Sequence, residues 1–265
     1  MQATRRGFLK LGSAAAAFAA CGTPAFAAPG DPALGLIFPP LNYPIPPDAS
    51  RLYPKGVEFL GNGVGLPGGM TVEGYEEAIP RVIPAAQELA KRGAKVISVF
   101  GSSITFYKGA KFHADLIAQV AKATGVPATT QSAGLLDGLR VANAKRVAVA
   151  TAYTDEVTGR LKVFLEEHGF VVTAARGLGF TSVPDSANTN AILDQLGREA
   201  YAQSSRADAL VMSCGALRTL DVIVPLEGHI KVPVISSTPH GLMNGVRLLG
   251  VAPRVQGFGM VFAKA

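Results

Sequence analysis

Cys214 sits in the run Val211-Met212-Ser213-Cys214-Gly215-Ala216-Leu217, a thiol closing an apolar stretch between two small residues. In an α/β protein the carboxyl ends of strands face the ligand. The Leu217-Arg218-Thr219-Leu220 segment that follows reads as a helix start. Its N–H groups would attract an anion and move the thiol pKa down toward neutrality. A lone cysteine is often a buried structural residue, but Ser213 and Gly215 leave room for a ligand to approach closely. Two further turns are rich in donors. Gly101-Ser102-Ser103 offers two hydroxyls, and Thr151-Ala152-Tyr153-Thr154 places a phenol after another apolar run. Any one of these hydroxyls could simply cap a helix. As a set beside one thiol, they form a cradle for a developing oxyanion.

Short apolar runs that alternate with amphipathic stretches must position these turns. The strands expected are Leu34–Phe38, Val57–Leu60, Lys95–Phe100, Arg146–Ala150, Phe170–Thr173, Ala209–Met212 and Val232–Ile235. Their nearly unbroken hydrophobicity predicts parallel strands covered on both faces. Helices are expected over Thr71–Arg92, Ala110–Ala123, Asp155–His168 and Asn188–Gln203. Pro80 and Pro84 should break the first, and Gly125 and Gly169 stand at C-cap positions. The class is α/β.

An internal repeat divides the chain. Val126-Pro127-Ala128-Thr129 precedes Gly134-Leu135-Leu136-Asp137-Gly138-Leu139-Arg140. Val232-Pro233-Val234-Ile235 precedes Gly241-Leu242-Met243-Asn244-Gly245-Val246-Arg247 in the same way. Upstream, Val96–Gly101 corresponds to Ala209–Cys214. The repeat predicts two pseudo-symmetric parallel-sheet α/β lobes with the site in the cleft between them. Residues 28–140 with about 244–265 would form the first lobe, and 141–243 the second.

Composition excludes several classes. The chain is 48% hydrophobic and 17% charged, which is globular. Three of its +6 charges fall within residues 1–27, and no Lys/Arg block occurs elsewhere, so no nucleic-acid surface is expected. Two cysteines rule out a disulfide scaffold, and four scattered histidines make a zinc site improbable. Gly63-x-Gly65-x-x-Gly68 has the letters of a dinucleotide fingerprint. Pro67 and Gly69 disturb the helix start that should follow, and the next strand ends without an acid. It reads as a flexible loop.

Residues 1–27 read as an address. Thr4-Arg5-Arg6-Gly7-Phe8-Leu9-Lys10, a short apolar run and Ala25-Phe26-Ala27 resemble a twin-arginine export signal with its cleavage site. The expectation is a periplasmic protein that meets the twin-arginine export machinery and has no stable membrane span. Cys214 would be its only mature cysteine. Ala19-Ala20-Cys21-Gly22 resembles part of a lipobox, which gives a lipoprotein as the alternative.

The runs Gly101–Ala110, Ala150–Val157 and Ser213–Asp221, with Arg51–Pro54 and Val72–Tyr75, resemble the arylmalonate decarboxylase family of the aspartate/glutamate racemase superfamily. The likeness covers about residues 34–262. Racemases of that superfamily use two facing cysteines, one per lobe. Here the first-lobe position is Gly101, and only Cys214 remains. The resemblance therefore implies decarboxylation of a small dicarboxylate, an α-aryl malonate, with one-sided protonation and no cofactor. It makes Cys214 the proton donor. Ser102, Ser103, Tyr153, Ser213 and the N–H groups of Cys214 and Gly215 would hold one carboxylate and the enediolate. Pro39, Pro40 and the Gly61–Gly69 loop would supply an apolar wall for the other. Two rivals stand beside this reading: a racemase or isomerase with a non-cysteine second base, and a periplasmic carboxylate-binding protein. His113, His168, His229 and His240 match no family role, and His240 is a candidate to line the cleft.

Overall fold

The computed structural model describes residues 30–265, so the export signal expected over residues 1–27 and Cys21 lie outside the described residues. The first lobe runs β1 (Ala33–Phe38), α1 (Pro47–Leu52), β2 (Glu58–Gly63), α2 (Val72–Ala78), α3 (Val82–Lys91), β3 (Ala94–Val99), α4 (Ser102–Phe106), α5 (Gly109–Thr124), β4 (Ala128–Thr130) and α6 (Gln131–Val141). The second runs β5 (Arg146–Thr151), α7 (Asp155–Glu167), β6 (Val171–Gly177), α8 (Asn190–Ala202), β7 (Ala209–Ser213), α9 (Leu220–Ile230) and β8 (Val234–Ser236), after which α10 (Ser237–Leu248) returns to the first lobe, where Gly245 packs on Leu34.

The two sheets repeat one plan. Their strand orders are β2-β1-β3-β4 and β6-β5-β7-β8, all parallel. β3 and β7, which the repeat aligns, hold the same place in each sheet. Every residue of β1 and β7 is buried, as strands with helices on both faces must be. The predicted break in the Thr71–Arg92 helix is a single 3-10 turn at Ile79–Arg81, where Pro80 cannot donate to the helical ladder. Gly125 ends α5 with φ +72°, a left-handed cap that glycine adopts without a steric cost. α1 and α4, of six and five residues, are too short to show a helical period and had no counterpart among the expected elements.

The repeated Gly-rich helices α6 and α10 join the lobes. They pack so closely that a methyl group on Gly134 would lie 2.5 Å from the His240 carbonyl oxygen. Gly134 and Gly241 are equivalent in the repeat, and they meet at the crossing. Arg247 spans the pair with a two-oxygen bridge to Asp137, at 2.7 and 2.6 Å. The crossing puts the first turns of both helices directly behind the strand ends that carry Ser102 and Cys214.

Candidate active site

A cavity of about 380 Å³ opens between the two sets of strand ends. Gly101, Ser102, Ser103, Tyr153, Cys214, Gly215, Pro39 and Pro40 all line it. Its remaining wall is mainly apolar: Phe38, Tyr43, Leu66, Met70, Phe100 and Val183. Gly63 ends β2, and the loop that follows it contributes Leu66, Gly69 and Met70 to the wall. No histidine lines the cavity. His240 is instead fully buried within α10, where its Nδ1 accepts from the Ser236 N–H at 3.0 Å. Burial holds its pKa down at about 4. Among the described residues no cluster of His, Cys, Asp and Glu could hold a metal, and no helix is long and apolar enough to cross a membrane.

Three expectations are corrected at the cysteine and a fourth at Ser213. α9 starts only at Leu220, so Cys214 is not at a helix N-terminus. Ala216 and Leu217 N–H groups and the Tyr153 hydroxyl do favour the thiolate, but burial outweighs them and pushes the thiol up to about 11. The thiol is 3% exposed and is protonated at neutral pH. The Cys214 N–H, expected to face the ligand, donates instead to Ser237 Oγ at 3.2 Å. Ser213 lies behind the wall rather than on it. It is fully buried, and its hydroxyl is 3.4 Å from that of Ser237. The Ser213 hydroxyl also approaches the Tyr153 phenol, so it supports the cradle from behind.

The hydroxyls form one buried cluster. Ser102 Oγ lies 2.8 Å from Ser237 Oγ, 3.2 Å from Gln131 Oε1 and 3.4 Å from the Tyr153 hydroxyl. Ser102 N–H donates to the same Gln131 oxygen at 2.9 Å. The Ser102 carbonyl is held from below by the hydroxyls of Thr105 at 2.8 Å and Ser132 at 3.0 Å. Tyr153 is buried, with its ring edge-on to Phe106, and burial keeps its phenol well above the usual range and thus protonated. The Tyr75 hydroxyl is buried beside Ser103 with no hydrogen-bond partner among the described residues. Sequence reading missed Gln131, Ser237, Tyr75 and Met70. Tyr75 closes the Val72–Tyr75 run of the resemblance, and Gln131 and Ser237 open the two repeated helices just ahead of their Gly-rich stretches.

Gly101 lines the same cavity as Cys214, from the other lobe. A Cβ there would fall 2.3 Å from Pro39 Cγ and 2.9 Å from Pro39 Cδ, so the proline ring fills the space a side chain would need. Gly101 therefore offers no acid of its own, and the titratable groups that line the cavity are the Cys214 thiol and the phenols of Tyr43 and Tyr153.

Residues 34–262 match the sequence model of the arylmalonate decarboxylase family. The chain is 42% identical over 233 residues to the arylmalonate decarboxylase of Bordetella bronchiseptica, covering 87% of this chain and 96% of that one. This chain belongs to the arylmalonate decarboxylase family. It is accordingly a decarboxylase, and the family accounts for the two-lobed fold and the place of the cleft. A solved arylmalonate decarboxylase, a glycine-to-cysteine and cysteine-to-serine double variant in its liganded form, superposes with a TM-score of 0.84. It is 41% identical, over 88% of this chain and all of that one. The fold extends further. A maleate cis-trans isomerase of Nocardia farcinica, solved with a covalently bound succinylcysteine intermediate, has a TM-score of 0.78 at 21% identity over 88% of this chain and 99% of that one.

Proposed function

We propose that this enzyme decarboxylates an α-aryl malonate without a cofactor and protonates the resulting enediolate on one face from Cys214. The observation that carries the reading is the pairing of one protonated, buried thiol with an opposite face closed by Gly101 and Pro39. One carboxylate would accept hydrogen bonds from Ser102, Ser103 and Tyr153. The carboxylate that leaves would face Pro39, Pro40 and Leu66, where loss of solvation favours its departure as CO₂. The Cα–CO₂ bond breaks, its electron pair enters the enediolate, and the hydroxyls stabilise the charge. The S–H bond of Cys214 then gives its proton to Cα, and the thiolate regains a proton from water. A thiol is useful here only if it is protonated when the carbanion forms. The cavity volume falls within the range of small-ligand sites, about 300–1,000 Å³.

The test is to incubate the purified protein with phenylmalonate and follow CO₂ and phenylacetate. Cys214→Ala should abolish product, and Cys214→Ser should leave little, because a hydroxyl is a far weaker acid. If Cys214→Ala keeps more than about a tenth of the wild-type rate, the thiol is not the acid. α-Proton exchange of a monocarboxylate without CO₂ release from phenylmalonate would support a racemase instead.

We also propose that residues 1–27 direct export by the twin-arginine route to the periplasm. The Arg5-Arg6 pair and Ala25-Phe26-Ala27 support it. Replacing both arginines by lysine should keep the protein inside the cell. A lipidated Cys21 found by mass spectrometry would establish the anchored alternative.

A further inference from the structure

Gln131 is the first residue of α6 and is fully buried. Its Oε1 accepts from both the N–H and the hydroxyl of Ser102, at 2.9 and 3.2 Å. An amide N–H can only donate, so this contact fixes which end of the side-chain amide is oxygen. Nε2 therefore points the other way and donates to Thr238 Oγ1 in α10 at 3.1 Å. Having accepted there, Thr238 sends its own proton to the Gly215 carbonyl at 3.1 Å. The same Oε1 lies against Gly215, where an added Cβ would be only 2.9 Å from it. One side chain thus reaches from the first-lobe strand end to the second-lobe strand end through bonds of a single possible direction.

We propose that Gln131 is a positioning residue that ties the two halves of the oxyanion cradle into one rigid donor set. It touches neither thiol nor cavity, and it acts through Ser102 and Gly215, which line the cavity. It also receives the Ser102 hydroxyl proton. Ser237, 2.8 Å away, can donate to Ser102 Oγ, which leaves the Ser102 O–H free to turn from Gln131 to an arriving carboxylate. Without the tie, the Ser102 amide and the Gly215 peptide would lose their common anchor. A displacement of about 1 Å in such a set costs on the order of 100-fold in rate. The catalytic consequence rests on the decarboxylase reading above; the tie itself does not.

The experiment has an arm for each. In the first, amide hydrogen exchange is measured on the unliganded wild type and on Gln131→Met, which keeps the volume and removes both bonds. The Ser102 amide should exchange at least about tenfold faster in the variant, while the Cys214 amide, held by Ser237, should not change. In the second, both proteins are given methylphenylmalonate. The variant should lose about 10- to 100-fold in kcat with KM within about threefold, and the enantiomeric purity of its 2-phenylpropionate should fall. Gln131→Glu keeps the acceptor, and when protonated it also keeps a donor toward Thr238. It should recover activity as pH falls, a new ionisation that the methionine variant lacks. Wild-type exchange at Ser102 in Gln131→Met overturns the tie, and so do wild-type kcat and enantiomeric purity together. If the wild type releases no CO₂ from malonates, the decarboxylase reading fails alone and the exchange arm decides the role of Gln131.

Discussion

The Cys214 thiol meets the thioether of Met70, Sγ to Sδ 3.7 Å, so a loop of one lobe covers the thiol supplied by the other. That loop is pinned across the cleft by the Met70 N–H, which donates to the Thr181 carbonyl at 2.7 Å. Covering the thiol desolvates it, and desolvation keeps the proton on sulfur. A partly exposed, low-pKa cysteine would suit a nucleophile. Burial keeps this one protonated, as the proposed role of proton donor requires.

The first prediction concerns reactivity. With a pKa of about 11, the thiolate fraction at pH 8 is on the order of one in a thousand. Iodoacetamide should therefore alkylate Cys214 slowly at neutral pH, with a rate rising about tenfold per pH unit toward pH 11. Met70→Ala should speed it at every pH by opening the cover, and phenylacetate should slow it. A plateau reached by pH 8 would mean that the thiol is not held protonated by its burial.

The second concerns the donors. Tyr153→Phe and Ser102→Ala each remove one hydroxyl of the proposed cradle, and each should lower kcat by roughly 10- to 1000-fold. Thermal unfolding should show both variants folded. Unchanged kcat in the two would place the cradle elsewhere.

The fold was largely legible in the sequence, because parallel strands covered on both faces leave continuous apolar runs such as Leu34–Phe38 and Ala209–Met212. The site was legible where function sits on strand ends: Ser102, Tyr153 and Cys214 each follow such a run. What the sequence hid is what depends on contacts between distant residues. Gln131 reads as an ordinary polar residue at a helix start, and its partners Ser102 and Thr238 lie 29 and 107 positions away. The thiol pKa was read with the wrong sign for the same reason. The helix start after Cys214 is local and visible, whereas the cover from Met70 is 144 positions distant.

The third prediction concerns stability and pH. Asp48 is buried in α1, and its neighbour Arg51 is committed to Asp221 by a two-point bridge at 3.0 and 2.6 Å. Burial, outweighing the pull of Arg51, raises the Asp48 pKa to about 6. The folded state thus binds this proton more tightly than the unfolded chain does. The associated stability is fully present below about pH 4 and is lost as pH rises through 6, a change of about 2–3 kcal/mol. Asp48→Asn should therefore raise the melting temperature at pH 8 and change it little at pH 4. A stabilisation equal at both pH values would rule out this ionisation.

The last prediction concerns the missing second acid. On the proposed mechanism Cys214 delivers a proton to one face only, and the first-lobe position that the repeat aligns with it is Gly101, with Pro39 Cγ 2.3 Å from where a side chain would begin. Gly101→Cys must push the Pro39 ring aside, so it should lower the melting temperature and reduce decarboxylation. It should also place a thiol on the second face. In D₂O the variant should then exchange and racemise 2-phenylpropionate, which the wild type should leave almost untouched. Adding Pro39→Ala removes the obstructing ring carbons, so the double variant should regain melting temperature relative to Gly101→Cys and racemise faster. Replacing Cys214 by serine in the Gly101→Cys background should stop racemisation, since two-sided exchange needs both thiols, and should move any remaining protonation to the other face. Product of opposite configuration from that variant would show that facial choice resides in which lobe carries the thiol. The wild-type enantiomer would show that the cradle, and not the acid, sets it.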